Sequence, residues 1–344
     1  MTDPVIRVSR RSYGQRIARS FKASWFGILI ILAAAVLLFW NEGRAVHFAR
    51  ALDQGAAQVR SIASSPVDPA HEGRLVHLQG LATTDEVLRD PLLGVAQQAI
   101  HLDRMVEVYQ WQEQRSSSTE THLGGNSTTT TEYSYHRLWS SRLIDSQGFV
   151  QPERHVNPGQ KGYAGYAVDD LRVRAQDVRV GDFHLSPGLV SRIEGSRLFP
   201  LTPAVLGALP PALRESANLR DGKLWFGNPD HPQVGDLRIH VSLIKPAEVS
   251  VVGRQTTDRI VPFTTDSGTQ IQLLRMGSLT AEEMFADQRR HNSLLTWALR
   301  LCGVVLMFVG WRMLVGPLVV LADVVPVLGR IAAIGIAPVA SGLA

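Results

Sequence analysis

Apolar residues are spread unevenly along this chain. Residues 23–40 read ASWFGILIILAAAVLLFW without a charge, and a second apolar stretch fills most positions after Leu294. At 1.5 Å per residue the first stretch makes roughly 27 Å of helix, close to the thickness of a hydrocarbon core. Trp25 and Trp40 bracket it, as indoles do where apolar and headgroup layers meet. Beyond it, Ala45, Val46, Phe48, Ala49, Leu52 and Ala56 recur at helical spacing. The helix is therefore expected to continue into a membrane-proximal segment, 41–72, whose apolar face packs on the following domain, on a neighbouring helix or, alternatively, on lipid.

From 73 to 279 the texture changes to short alternating runs bounded by Gly, Pro, Asp and Asn, the pattern of a β-rich domain. Strands are predicted at 75–83, 105–112, 131–139, 237–244, 249–254, 259–264 and 269–274. The Ser/Thr/Gly-rich stretch 116–130 reads as a mobile hairpin tip, and the proline-rich stretch 198–216 as an irregular or short-helical insertion. Tyr109, Trp111, Tyr133, Tyr135 and Trp139 fall on alternating positions. They form either cross-strand packing or an aromatic surface for a ligand or lipid.

The return to the apolar phase starts at a capping box, Thr280-Ala281-Glu282-Glu283, and no proline follows until Pro317. A helix over 280–314 is expected to lead into a second span. Trp297, Arg300 and Arg312 lie near the edges of its apolar run, where long side chains reach headgroups. Residues 315–344 are apolar but broken by Asp323, Pro326 and Arg330, and read as a partial third span or a re-entrant segment. The expected fold is a membrane protein: transmembrane α-helices with a large β-rich α+β extramembrane domain inserted between the first and second spans.

Charge refines this picture. The formal net charge of +4 comes with Arg7, Arg10, Arg11, Arg16, Arg19 and Lys22 gathered before the first apolar stretch. Their place marks 1–22 as a basic cytoplasmic tail beside a signal anchor rather than a nucleic-acid surface. A cleavable signal peptide is the weaker alternative, because Asn41-Glu42-Gly43-Arg44 carries no small-residue cleavage pattern. Only four lysines stand among the 35 basic residues, a bias of GC-rich genomes. The expected location is the bacterial cytoplasmic (inner) membrane, with the domain in the periplasm.

Chemistry-bearing patterns are sparse. Asp266-Ser267-Gly268 has the triplet of an aspartic-protease loop, yet a turn between two strands asks for the same glycine. His71-Glu72 is followed by a histidine only at His77, not at the four-residue spacing that places two imidazoles on one helical face. The lone cysteine, Cys302, excludes an intrachain disulfide. No catalytic residue, metal site or cofactor is expected.

Several segments, in order, resemble the transmembrane protein 43 (LUMA) family. They are Asn41-Glu42-Gly43-Arg44-Ala45, Glu72-Gly73-Arg74-Leu75-Val76-His77, Val106-Glu107-Val108-Tyr109-Gln110-Trp111, Tyr133-Ser134-Tyr135, Pro232-Gln233-Val234-Gly235-Asp236-Leu237-Arg238, Val261-Pro262-Phe263 and Trp297-Ala298-Leu299-Arg300. The resemblance implies four spans, a large domain after the first, and self-association. In animal members it also implies residence in the endoplasmic reticulum and inner nuclear membrane with lamin and emerin contacts, which do not carry to a bacterium. The expected role is a self-associating membrane scaffold whose partners are the bilayer, further copies and other membrane proteins. A membrane-surface enzyme or lipid-handling module is the competing class, and a sensor acting through the helix from Thr280 a third.

Overall fold

A computed structural model describes residues 5–122 and 126–322. They divide into two compact units, one holding the described residues up to Arg50 with 115–134 and those from Asp287 on, the other holding 51–114 and 135–286.

The second unit is the β-rich domain. Its first sheet is built from β3 (His101–Thr121), whose residues 101–108 pair antiparallel with β7 (Leu237–Ile244), followed by β6 (Lys223–Phe226) and β5 (Ala217–Arg220). Its second sheet centres on β2 (Leu75–Thr83) and β8 (Ala247–Thr256), antiparallel from Leu75 opposite Arg254 to Ala82 opposite Ala247, with β9 (Leu273–Met276) beyond. The alternation in β7 explains the layering. Leu237, Ile239, Val241 and Leu243 are buried while Arg238, His240 and Ser242 face outward, the two-residue period of a half-covered strand. Those residues join Val76, Leu78, Val249 and Val251 of the second sheet in one core. The membrane-proximal part of α1 (Tyr13–Gln58) serves this core: Leu52 is buried, and a Cβ on Gly55 would meet Ile271 and Phe285 at 2.6 and 3.0 Å.

The first unit holds α1 up to Arg50, most of α2 (Ala281–Leu314), the short α3 (Gly316–Ala322), and a three-stranded arm. The arm consists of β1 (Val5–Arg11), the end of β3, and the start of β4 (Ser127–Ser140). β1 pairs antiparallel with β4 from Val5 opposite Tyr133 to Arg11 opposite Ser127.

Many predicted elements stand where the pattern put them. β2 and β7 have the expected bounds, the 280–314 helix is α2, and its capping box closes reciprocally, with Glu283 N on Thr280 Oγ1 and Thr280 N on Glu283 Oε2. The 198–216 insertion carries two short helices, Ala204–Ala208 and Pro211–Arg214. The Asp266-Ser267-Gly268 triplet is a hairpin turn with Gly268 at φ 78°, joining Phe263–Thr264 to Gln270–Ile271.

Two expectations need correction, and one element was not foreseen: within the basic tail Val5–Arg11 is a strand, and α1 begins at Tyr13, ten residues before the apolar run. The 116–130 stretch is not a tip but mostly ladder, β3 running to Thr121 and β4 starting at Ser127, because threonine and serine hydroxyls pair across it. Tail and hairpin also do not lie on opposite faces of a bilayer. Strands of one ladder sit about 4.8 Å apart, so no hydrocarbon layer of about 30 Å separates Val5–Arg11 from residues 127–133. Of the 315–344 segment, only the helix Gly316–Ala322 is described; the third-span expectation otherwise falls outside the described residues.

Candidate functional site

Two helices among the described residues are long and apolar enough to cross a membrane, α1 and α2, and their apolar stretches are mostly uncovered, unlike a core helix. Trp25 and Phe39 on α1 and Trp297 and Leu301 on α2 are among the large apolar side chains left outside. Trp40 is likewise exposed, in keeping with an interfacial position.

The two helices run antiparallel and touch along about 30 Å, from Ser24 against Met313 to Arg44 against Asn292. Small residues allow the approach. A Cβ on Gly27 would stand 2.6 Å from the carbonyl oxygen of Gly310, one on Gly310 2.8 Å from that of Gly27, and one on Gly303 2.5 Å from Leu38. Ser24 Oγ reaches the carbonyls of Met313 and Leu314, both at 3.1 Å, satisfying acceptors at the end of α2.

At the other end of this contact the Asn41-Glu42-Gly43-Arg44 segment forms a polar clamp. Asn41 is fully buried and donates through Nδ2 to the Thr296 carbonyl at 3.1 Å. Arg44 donates to Asn292 Oδ1 at 3.0 Å, to Thr296 Oγ1 at 3.0 Å and to Asn41 Oδ1 at 3.3 Å, while Asn292 Nδ2 donates back to the Ala45 carbonyl at 3.2 Å. One turn along, Glu42 accepts two hydrogen bonds from Arg300 at 2.7 and 2.8 Å, a fork that fixes both side chains. The Arg300 guanidinium also lies 4.8 Å from the Trp297 ring centre. Of the site residues named from sequence, Asn41, Glu42, Arg44, Trp297 and Arg300 thus come together. Gly43 has open space about it, and Arg312 stands outside the clamp in the last turn of α2. Asn292 and Thr296 were missed. Their signal was present: a polar pair at i, i+4 spacing on the approach to an apolar run.

The five predicted aromatics do not form one platform. Tyr109, Trp111 and Trp139 share a half-exposed face with Trp225, which the sequence reading overlooked. The Tyr109 and Trp139 rings are 5.2 Å apart, and Trp139 meets Trp225 edge-on at 5.3 Å. Arg238 lies 4.9 Å from Trp139 and 5.2 Å from Trp225 while its Nε donates to Glu107 at 2.7 Å, and Arg137 covers Tyr109 and Trp111. Tyr135 is instead buried under the 146–157 segment, its ring stacked 3.7 Å from His155 and its hydroxyl donating to Glu113 at 2.7 Å. Burial first, then that carboxylate, push the phenol up to about 12. Tyr133 belongs to the arm, flanked by Arg7 and Arg115. His136 and Arg137, adjacent on β4, point to opposite faces, so they cannot line one cleft with Glu107.

One further polar pair escaped the sequence reading. His77 is buried on β2, with Nδ1 3.0 Å from Ser61 Oγ and Nε2 2.9 Å from the Leu279 carbonyl. Burial lowers its basicity, so the neutral ring is favoured.

Comparison with known proteins settles the family. The profile of transmembrane protein 43 matches residues 108–344. Transmembrane protein 43 of Mus musculus is 34% identical over 338 residues, covering 94% of this chain and 80% of the relative. The Homo sapiens protein of the same name is 34% identical over 344 residues, covering 95% and 82%. This chain belongs to the transmembrane protein 43 family. The Drosophila melanogaster homolog is more distant, 29% identical over 308 residues with 86% and 78% coverage. No solved structure matches. The chain is thus a family membrane protein whose described residues include two long apolar helices with a large β-rich domain between them in sequence.

Proposed function

We propose that the protein is a noncatalytic, self-associating scaffold of the bacterial cytoplasmic membrane. The observation that carries this reading is the helix pair: inner faces joined through glycines and the Asn41–Arg44 clamp, outer faces apolar and uncovered. Such a pair is rigid, faces lipid or further copies, and commits its charged groups to one another instead of to a substrate. The arginine-rich tail favours a cytoplasmic N-terminus. Crossing by α1 then carries the chain beyond Arg50 to the periplasm.

Light scattering of the purified chain across several detergents tests self-association, and masses of several copies are expected. A single-copy mass in every detergent overturns the scaffold reading. A second reading, a lipid-handling module, draws on the Tyr109, Trp111, Trp139 and Trp225 face with Arg137 and Arg238. Anionic vesicles that bind the wild type and fail to bind Trp139→Ala/Trp225→Ala would favour it.

A further inference from the structure

The core of the β domain is open at one corner. Residues 245–246 carry the chain from β7 of the first sheet to β8 of the second, and beside them lies a cleft of about 450 Å³. Small-molecule sites run from roughly 300 to 1,000 Å³. The short strand Arg197–Phe199 forms one wall, antiparallel to β7, with Arg197 opposite Leu243 and Phe199 opposite Val241. Met276, the last residue of β9, forms another, and its Sδ receives the Glu194 N–H at 3.4 Å. That contact ties the segment leading into the short strand to the second sheet. The walls divide by chemistry. Phe199, Leu243 and Met276 make an apolar floor, whereas the exposed Arg197 and Lys245 have no side-chain hydrogen bond or ion pair among the described residues. Glu194 is the one acid on the lining, so two cations face one anion there.

Arg197 points to a ligand most directly. Residues opposite one another in a ladder share a face, and Leu243 is buried on the core face, so Arg197 leaves its strand on the side of the core. An inward charge can serve simply to blunt a strand edge. Blunting, however, asks for neither a second unpaired cation nor an apolar hollow beside it. We infer that the cleft binds a long-chain carboxylate, a fatty acid whose chain lies on Phe199, Leu243 and Met276 and whose head meets Arg197 and Lys245. Charge complementarity selects the anionic head, and the arginine fork matches a carboxylate with two parallel hydrogen bonds. The floor selects the apolar tail. A space of this size takes one acyl chain and not the two chains of a bilayer phospholipid. The cleft shares no residue with the face of Tyr109, Trp111, Trp139 and Trp225, and its occupancy does not depend on whether the chain self-associates.

Photo-crosslinking tests this in the full-length protein held in lipid nanodiscs. The probe is palmitic acid carrying a diazirine near its methyl end. After illumination and digestion, adducts are expected on the peptides that hold Phe199, Leu243 and Met276, beside any on the lipid-facing helices α1 and α2. Excess palmitate should remove the domain adducts. Hexadecanol, with the same chain and no charge, should leave them. Arg197→Glu/Lys245→Glu changes two exposed side chains, so the thermal midpoint of the domain should hold. Its domain adducts should fall roughly tenfold or more, the loss expected for one charge-assisted hydrogen bond. Adducts confined to α1 and α2, or removed equally by hexadecanol, overturn the site. Domain adducts untouched by the charge reversal overturn the role of Arg197 and Lys245, and with it the site as inferred. Stronger competition by dodecyl phosphate than by palmitate overturns the carboxylate in favour of a phosphate head. Should the reversed variant unfold, the contest between palmitate and hexadecanol on the wild type still decides.

Discussion

Buried Asn41 and half-buried Arg44 show how polar side chains are satisfied between two packed helices. Each hydrogen bond they make goes to the opposite helix or to the other member of the pair. Polar contacts between membrane helices contribute about 1 kcal/mol apiece. Asn41→Leu should lower the midpoint of unfolding in an SDS titration by a corresponding about 1–2 kcal/mol. An unchanged midpoint would mean that the clamp is decoration. In the β domain, His77, His101 and His240 all have basicity lowered chiefly by burial. In the unfolded chain they protonate near pH 6.5 and in the fold only below that, so the unfolded state binds more protons between the two values. Stability is therefore full above about pH 6.5 and falls as the pH drops below it. Thermal midpoints at pH 8, 7, 6 and 5.5 should decline through the last two steps, and His77→Gln should flatten part of that slope. A flat profile over the same range would rule the effect out.

At the scale of elements, glycine placement separates two kinds of helix position. Gly27 and Gly310 touch across the helix pair, whereas Gly43 faces open space. Gly310→Leu should drive the helices apart and lower the SDS midpoint, while Gly43→Ala should leave it equal or raise it by up to about 1 kcal/mol through helix propensity. Equal loss in both would show that the contact does not depend on close approach. Thr280→Ala removes the hydroxyl that receives Glu283 N and should cost the start of α2 about 1 kcal/mol, read as a lower thermal midpoint of the domain. These elements were legible because their signals are local: a charge-free run, a capping box, and the alternation of Leu75–Thr83 and Leu237–Ile244. The arm was not. Val5–Arg11 alternates Ile6 and Val8 with Arg7 and Ser9, but its arginines read as topogenic charge, and its partner lies over a hundred residues away. Ser12 N on Gln15 Oε1, a capping pair at the start of α1, was an available signal that the helix begins well before the apolar run. In the site, Trp225 was hidden for the same reason, since only strand register brings it to its neighbours.

For the whole molecule the decisive constraint is the β1–β4 ladder, because it fixes which parts of the chain share a side of the membrane. If α1 crosses the bilayer and the tail is cytoplasmic, a cysteine near Val5 and one at Asn126 must both be shielded from a membrane-impermeant thiol reagent added outside intact spheroplasts. A cysteine at Asp230, in the β domain on an exposed loop, must react. In inverted vesicles the pattern should reverse, with Cys302→Ser removing the native thiol throughout. The result turns on the pair 5 and 126 behaving alike, which the ladder demands whatever the orientation. Divergent labelling would mean that strand and hairpin are not paired in the membrane. Labelling of all three positions from one face would mean that α1 does not carry the domain across, and that the helix pair lies in one leaflet instead of spanning both.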